Sequence, residues 1–458
     1  MSVHGPLGAT PQTGAFELRS ATLDRRDVQS GVGLLALAAV VAAGLIISIS
    51  AAGTDQLLPE SVRPVPSWLA GPFGSAGIDI GVLGISGVLT VMFVGYALAV
   101  READRLSPRV VLTAIAALHA LVLLAPPLLS TDVFSYQAYA RMWSMYGANP
   151  YLHGPHVIAL DPLYPYIGAK WVTTPTAYGP VFTVLSSLLG PLSIAASALV
   201  YKAIAAFSSL VVLVSVWNAS SLRGRSPVKA VALVGLNPLI VVYGVGGGHN
   251  DLLMLAASMA GIYAVLRSRD RAGGAMLAVG AGIKLSAGIL LPFAVAARHA
   301  SGLRTRKREV LIGAAIASAA TAALGFAVFG SGPLHMLGTL QQIQSEGDWK
   351  SIPGFITTRL GLGAIGHIAG IFLAIVFAAA LGWLVRRVWR GEMDWLEGAA
   401  WATAVMLCTA GSLLPWYVAW MIPLVALCAS PRLWRVAIVM TAVVQAIQLL
   451  GYIHSGFL

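Results

Sequence analysis

Charge is what this sequence has least of. Only 10% of its 458 residues are Asp, Glu, Lys or Arg, against roughly a quarter in soluble domains. A chain this poor in charge cannot clothe a soluble surface, which excludes an ordinary soluble enzyme, a disordered tail protein and a nucleic-acid binder. Cysteine is scarce too. Cys408 and Cys428 both lie in apolar runs, leaving no disulfide framework and no Cys-based zinc site. The first 30 residues hold no apolar h-region, so they read as a polar cytoplasmic tail rather than a cleaved signal. What is abundant is apolar sequence: 57% hydrophobic residues and a mean hydropathy of +0.80. The expected fold class is an all-α polytopic membrane protein.

About 20 apolar residues cross a bilayer as a helix. Candidate spans are 31–52, 78–100, 109–129, 195–217, 229–245, 251–266, 310–330, 364–388, 396–413, 416–430 and 435–452. Residues 177–192 read as a short, Pro-bounded half-helix, and 272–297 as two apolar halves joined at Gly282-Ile283-Lys284. About 12–14 helices in a single domain, 31–458, are expected. If 177–192 does not cross and 272–297 turns back, 22 of the 29 basic residues fall on one side. Cytoplasmic loops collect Lys and Arg, so the N-terminus is expected inside. The net charge of +11 is then mainly a topology signal, and the inner faces also suit acidic membrane lipids.

The outer segments, chiefly 130–178 and 331–362, are rich in aromatic, Gly, Pro and isolated polar residues. In 130–178, Phe134, Ala138, Arg141 and Met142 recur at helical spacing beside Tyr139 and Trp143. That pattern suits an amphipathic helix lying in the membrane interface. The rest reads as an ordered irregular loop, a type more often functional than a linker. Asp132 directly follows the apolar run LVLLAPPLLST. Its carboxylate is either an N-cap, as Ser130 and Thr131 can also be, or a general base at the membrane–water boundary.

A second constellation is GVGGGHNDLLML (244–255). Its glycines allow a tight turn or a close backbone approach. His249, Asn250 and Asp251 then offer a cation or donor, an amide and an acid, with helix capping the plainer alternative for the last two. No cofactor is expected, and one His with one Asp is no metal site by spacing. A divalent metal would need outer carboxylates such as Asp132 or Asp161 to join them. Lys284 lies in an apolar hairpin, where an ionisable group is functional by default unless it snorkels to the boundary. Lys350 and Arg359, in 331–362, are two of only seven basic residues off the inner side; the others are Arg63, Arg141, Lys170, Lys202 and Lys284. Such cations can grip a phosphate, or simply belong to a solvated loop. LLPWYVAW (413–420) reads as an aromatic anchor at a helix end.

Three motifs carry a family resemblance: STDVFSY…YGANPY..GP (130–155), TAYGPVF (176–182) and GGGHNDLLM (246–254). Over roughly 110–300 the chain resembles polyprenyl-phosphomannose-dependent mannosyltransferases, in particular the actinobacterial α-(1→6)-mannopyranosyltransferases of the MptA/MptB type in the GT-C superfamily. The resemblance implies a GT-C-like bundle in the plasma membrane with a large extracytoplasmic first catalytic loop. It implies a polyprenyl-phosphate-linked sugar donor, a lipid-anchored α-(1→6)-mannan acceptor and inverting transfer at the outer face. Asp132 matches the family's acidic residue and would be the base that deprotonates the acceptor hydroxyl. The donor phosphate would then be held by His249, Lys350, Arg359 and Lys284, since cations at that depth are few. Tyr136, Arg141, Tyr178, Asn250, Asp251 and Trp349 are the expected substrate contacts. The same chemistry on glucose or arabinofuranose stays open, while a transporter, which should show matching halves, is disfavoured.

Overall fold

The computed structural model describes residues 30–297, 303–346 and 350–456. Among them the regular structure is helical, with no strand: α1 (Gly31–Ser50), α2 (Gly81–Glu102), α3 (Pro108–Leu124), α4 (Asp132–Ser144), α5 (Pro180–Ser187), α6 (Ile194–Leu222), α7 (Pro227–Gly235), α8 (Asp251–Leu266), α9 (Asp270–Ile283), α10 (Leu303–Phe329), α11 (Gly363–Arg390), α12 (Trp395–Thr409) and α13 (Pro431–Gly456), joined by short helical turns. The protein is an all-α polytopic membrane protein. α1, α2, α6, α10, α11 and α13 are long and apolar enough to cross a bilayer, and α7 with its bent continuation Leu239–Val245 would make a seventh. Four further apolar helices run only 10–17 residues. Six or seven of the 12–14 expected crossings therefore have spanning length among the described residues.

Helix starts follow capping chemistry. Ser107, Ser193 and Ser226 each accept a first-turn backbone N–H, and Asp394 accepts two. Proline at the first position of α3 and α7 needs no N–H there. Small residues let the backbones close up. A Cβ on Gly313 of α10 would lie 1.8 Å from the Arg271 carbonyl oxygen, and one on Gly274 of α9 would lie 2.0 Å from that of Val310. Packing at such distances is how membrane helices associate without a hydrophobic drive between them.

The basic loops gather at one end of the bundle. Lys229 pairs with Asp104 at 3.5 Å, Arg223 with Asp394 at 3.0 Å and Arg306 with Asp270 at 2.7 Å. Lys307 lies 3.4 Å over the Trp389 ring, and Ser30 donates to Glu102.

Two broken helices shape the other end. After Asn237-Pro238 the chain bends by 49° and continues as a π-helical turn, Leu239–Val245. Proline removes a helical hydrogen bond, and Asn237 repairs the gap. Its Oδ1 accepts from Leu239 N and Ile240 N, while its Nδ2 donates to Tyr96 and Thr441. At Lys284 the backbone turns extended (φ −146°, ψ 121°), ending α9 and starting a 3-10 turn, Leu285–Ile289. The break expected at Gly282-Ile283-Lys284 is therefore present, as is the short helix expected within 177–192.

One expectation fails. α4 does not lie in the interface: all residues from Asp132 to Met142 are buried, on every face. Tyr139 and Arg141 meet protein partners, the Thr174 carbonyl and Asp161, instead of lipid headgroups.

Candidate functional site

The chain enters α4 under strain. Leu129 has φ +62°, a conformation that costs a residue with a Cβ about 1–3 kcal/mol and marks functional sites when it persists. It is held by neighbours: Leu129 N donates to Leu57 O and Leu128 N to Gly246 O. Lys202 of α6 is fully buried and its Nζ donates to the carbonyls of Ala125 and Pro126, the latter at 3.1 Å. It thereby satisfies acceptors just beyond the end of α3, where carbonyls lack helical partners. Lys202 had no assigned role in the sequence reading, since nothing local marks a lysine as a clamp.

Asp132 is the first residue of α4, where the helix dipole favours a carboxylate. The N-cap is Thr131, whose side chain makes no capping bond. Oδ2 of Asp132 instead faces His249 Nδ1 at 3.4 Å. The HND turn follows the same rule. Asn250 precedes α8 without capping it; its Oδ1 accepts from the Tyr136 hydroxyl at 3.3 Å. Asp251 Oδ1 accepts from Lys284 Nζ and Trp420 Nε1, both at 2.7 Å. Three carboxylates or amides that can cap helices are turned to distant partners.

The aromatic run at 413–420 is not an interface anchor. Pro415–Trp420 forms a 3-10 turn inside the site. Trp416 stacks on His249 at 3.6 Å and 22°, and Tyr417 stacks on Trp420 at 4.2 Å. The Lys284 ammonium lies 4.8 Å over Tyr417, 5.2 Å over Trp420 and 5.9 Å from the Tyr178 ring centre. Lys284 thus points into the bundle and does not snorkel.

Two adjoining cavities meet at Asp132, which lines both together with Trp171, Ile343, Leu414 and Tyr417. One, of about 920 Å³, holds Tyr178 and Lys284 and is otherwise mostly apolar. It follows Gly366, Gly370, Ala374 and Phe377 on one face of α11, a run of about 16 Å at 1.5 Å per residue. The other, of about 830 Å³, is bordered by Arg63, Lys170, Lys350 and Arg359, with Glu60 and Asp132 as the acids. Lys350 Nζ donates to Gln448 at 3.2 Å. Arg63 and Lys170 were given no phosphate role from the sequence, since nothing there places either loop beside Asp132.

Several expected contacts lie elsewhere. His249 is fully buried and borders neither cavity, so it sits behind Asp132. Tyr136 is buried among Tyr178, Phe182 and Tyr201. Burial first, and then the Asp132 charge, push the Tyr136 phenol far above its ordinary range, so it is neutral at working pH. Arg141 is an internal ion pair: Nη1 meets both Asp161 oxygens at 2.9 and 3.1 Å, and Nη2 meets the Leu192 carbonyl. Asp161 also accepts from Tyr146 and Leu163 N, so it is engaged away from Asp132. Asn250 and Asp251 stand behind the cavity walls. Trp349 falls outside the described residues. Among those described, no group of three His, Cys, Asp or Glu is placed to hold a metal.

The motifs of the long loop brace this geometry. Asn149 donates to Phe329 O, and the Tyr151 hydroxyl bonds Tyr178 O and Thr183. Gly179 N donates to Ile283 O, tying the TAYGP turn to the break at Lys284.

A family model described as alpha-(1->6)-mannopyranosyltransferase, N-terminal domain, matches residues 30–300. Alpha-(1->6)-mannopyranosyltransferase A of Mycobacterium tuberculosis is 30% identical over 338 residues, covering 68% of this chain and 64% of its own length. Its Corynebacterium glutamicum namesake is 28% identical, covering 69% and 70%. Alpha-(1->6)-mannopyranosyltransferase B of C. glutamicum is 25% identical over 504 residues, covering 91% and 82%. The chain spans 64 to 66% of the length of three of its mycobacterial relatives.

Proposed function

Because this chain belongs to the alpha-(1->6)-mannopyranosyltransferase family, we propose that it transfers mannose from a polyprenyl phosphate to a lipid-anchored α-(1→6)-mannan at the outer face of the plasma membrane, with inversion. The observation that carries this reading is the position of Asp132 at the junction of an apolar and a cationic cavity. A prenyl-phosphate sugar has the same division. Its tail suits the apolar groove along α11, and its anion suits the side bordered by Lys350 and Arg359, joined by Arg63 and Lys170. Lys284 already shares its charge with Asp251, so it fits a contact to sugar hydroxyls better than the main phosphate contact. The faces of Tyr178, Tyr417 and Trp420 would pack on the pyranose beside it.

Asp132 takes the proton from the acceptor hydroxyl as its oxygen attacks the anomeric carbon. The carbon–oxygen bond to phosphate breaks on the opposite face, and the phosphate leaves with the electron pair. Cations aimed at the leaving group gain most in the transition state, where its charge is greatest. Tyr136 and Tyr178 cannot compete as bases, since burial, first of all, keeps both phenols protonated.

The test compares Asp132→Asn with wild type in a transfer assay, with donor binding measured alongside. Loss of a general base lowers turnover by roughly 10²–10⁴, while donor affinity should hold. An Asn variant that turns over at the wild-type rate would remove Asp132 from the mechanism.

A further inference from the structure

His249 is the buried polar group that the mechanism above leaves unused. It has no exposed surface, and neither ring nitrogen makes a hydrogen bond. Burying a polar group without a partner costs about 1–3 kcal/mol, so its presence in a folded interior calls for a cause. Its place is tightly set. The ring lies flat on Trp416, and a Cβ on Gly247 would sit 2.8 Å from Nε2. Between these walls Nδ1 is aimed at Asp132 Oδ2, 3.4 Å away. That separation is slightly too long for a hydrogen bond, and a small approach would close it.

We propose that His249 is the positioning partner of Asp132: Nδ1 carries the ring proton and, on that small approach, donates it as a hydrogen bond to Oδ2, holding the carboxylate toward the cavities. This inference rests on the reading of Asp132 as the base. The sequence of bonds is balanced. The acceptor O–H breaks as its oxygen bonds the anomeric carbon, and the phosphate departs with its electron pair. The proton goes to Asp132, which borders the cavities, while Nδ1–H keeps Oδ2 in place. When product leaves and water refills the cavities, Asp132 releases the proton to it.

The surroundings favour that pair. Asp132 on α4 is the acid facing the ring. Asp251, two residues on, is neutralised by Lys284, and Trp416 brings no charge. Lys202 of α6 would have its Cγ 3.3 Å from a Cβ on Gly248, but its ammonium is turned to the carbonyls of Ala125 and Pro126.

Two variants test the donor. His249→Phe keeps the stacking on Trp416 and removes both nitrogens. His249→Asn keeps an N–H donor near the Nδ1 position. The expected result is a kcat loss of roughly 10²-fold for Phe, with donor KM unchanged. The Asn variant should recover part of that loss, because its amide can still donate to Asp132. Should the Phe variant fail to fold, His249→Leu, also without a donor, takes its place. Wild-type kcat in the folded variant without a donor would overturn the inference, as would an Asn variant no faster than it. So would a rise in donor KM alone, which would make His249 a phosphate contact. With Asp132→Asn inactive in the same assay, each of these outcomes would leave the base assignment standing.

Discussion

Arg141 brings a full charge into the interior and meets three acceptors there, two on Asp161 and one on the Leu192 carbonyl. A pair buried this deeply adds little over a well-packed apolar substitute, yet breaking it is expensive, about 3–5 kcal/mol, because the remaining charge has no partner. Arg141→Ala should therefore lower the thermal unfolding midpoint in detergent, with Asp161→Leu in the Arg141→Met background recovering part of the loss. An unchanged midpoint with lost activity would instead make Arg141 a substrate contact. Sequence shows that such a residue is costly, not what it touches. Asp132, His249, Asp251 and Lys284 stood out for that reason: each is an ionisable type set in an apolar run or a glycine-rich turn. Their partners were not legible. Trp420 is 169 residues from Asp251, and a Pro-flanked aromatic run reads the same at a lipid interface as against a buried histidine. Lys202 hid in a regular helix for the same reason.

Among the elements, the breaks were easier to read than the burial. Glycine before Lys284 and the Pro-bounded 177–192 each mark a place where helix geometry cannot continue, and both interruptions are present; the bend at Asn237-Pro238 was missed, because 229–245 read as one apolar span. α4 misled because mixed aromatic and polar faces suit two environments, a membrane surface or a protein interior with polar partners. The contact between α5 and α9 shows what the TAYGP turn demands. A Cβ on Gly179 would lie 2.1 Å from the Gly282 carbonyl oxygen, so the turn must move away from Lys284. Gly179→Ala is expected to cost about 1–3 kcal/mol as an overpacked contact. Activity should fall further than stability, because Tyr178 and Lys284 shift together. Thermal unfolding and transfer rate measured on the same preparation check this; full activity at wild-type stability would show that the turn has room.

At the scale of the whole molecule, charge is divided by position. Basic loops interlock at one end through Lys229–Asp104, Arg223–Asp394 and Arg306–Asp270, while Asp132, His249 and the two cavities lie with the remaining cations. That separation matches the rule that keeps Lys and Arg on the cytoplasmic side, and it is the support for placing the proposed site at the outer face. The most direct measurement uses sealed right-side-out vesicles carrying the protein and radiolabelled polyprenyl-phosphomannose. A membrane-impermeant α-(1→6)-mannoside is added outside, followed by linkage analysis of the product. The account requires one labelled mannose joined α-(1→6) to the external acceptor, absent with Asp132→Asn. Label that stays on the lipid in wild type, or that reaches the acceptor only after the vesicles are opened, would contradict it.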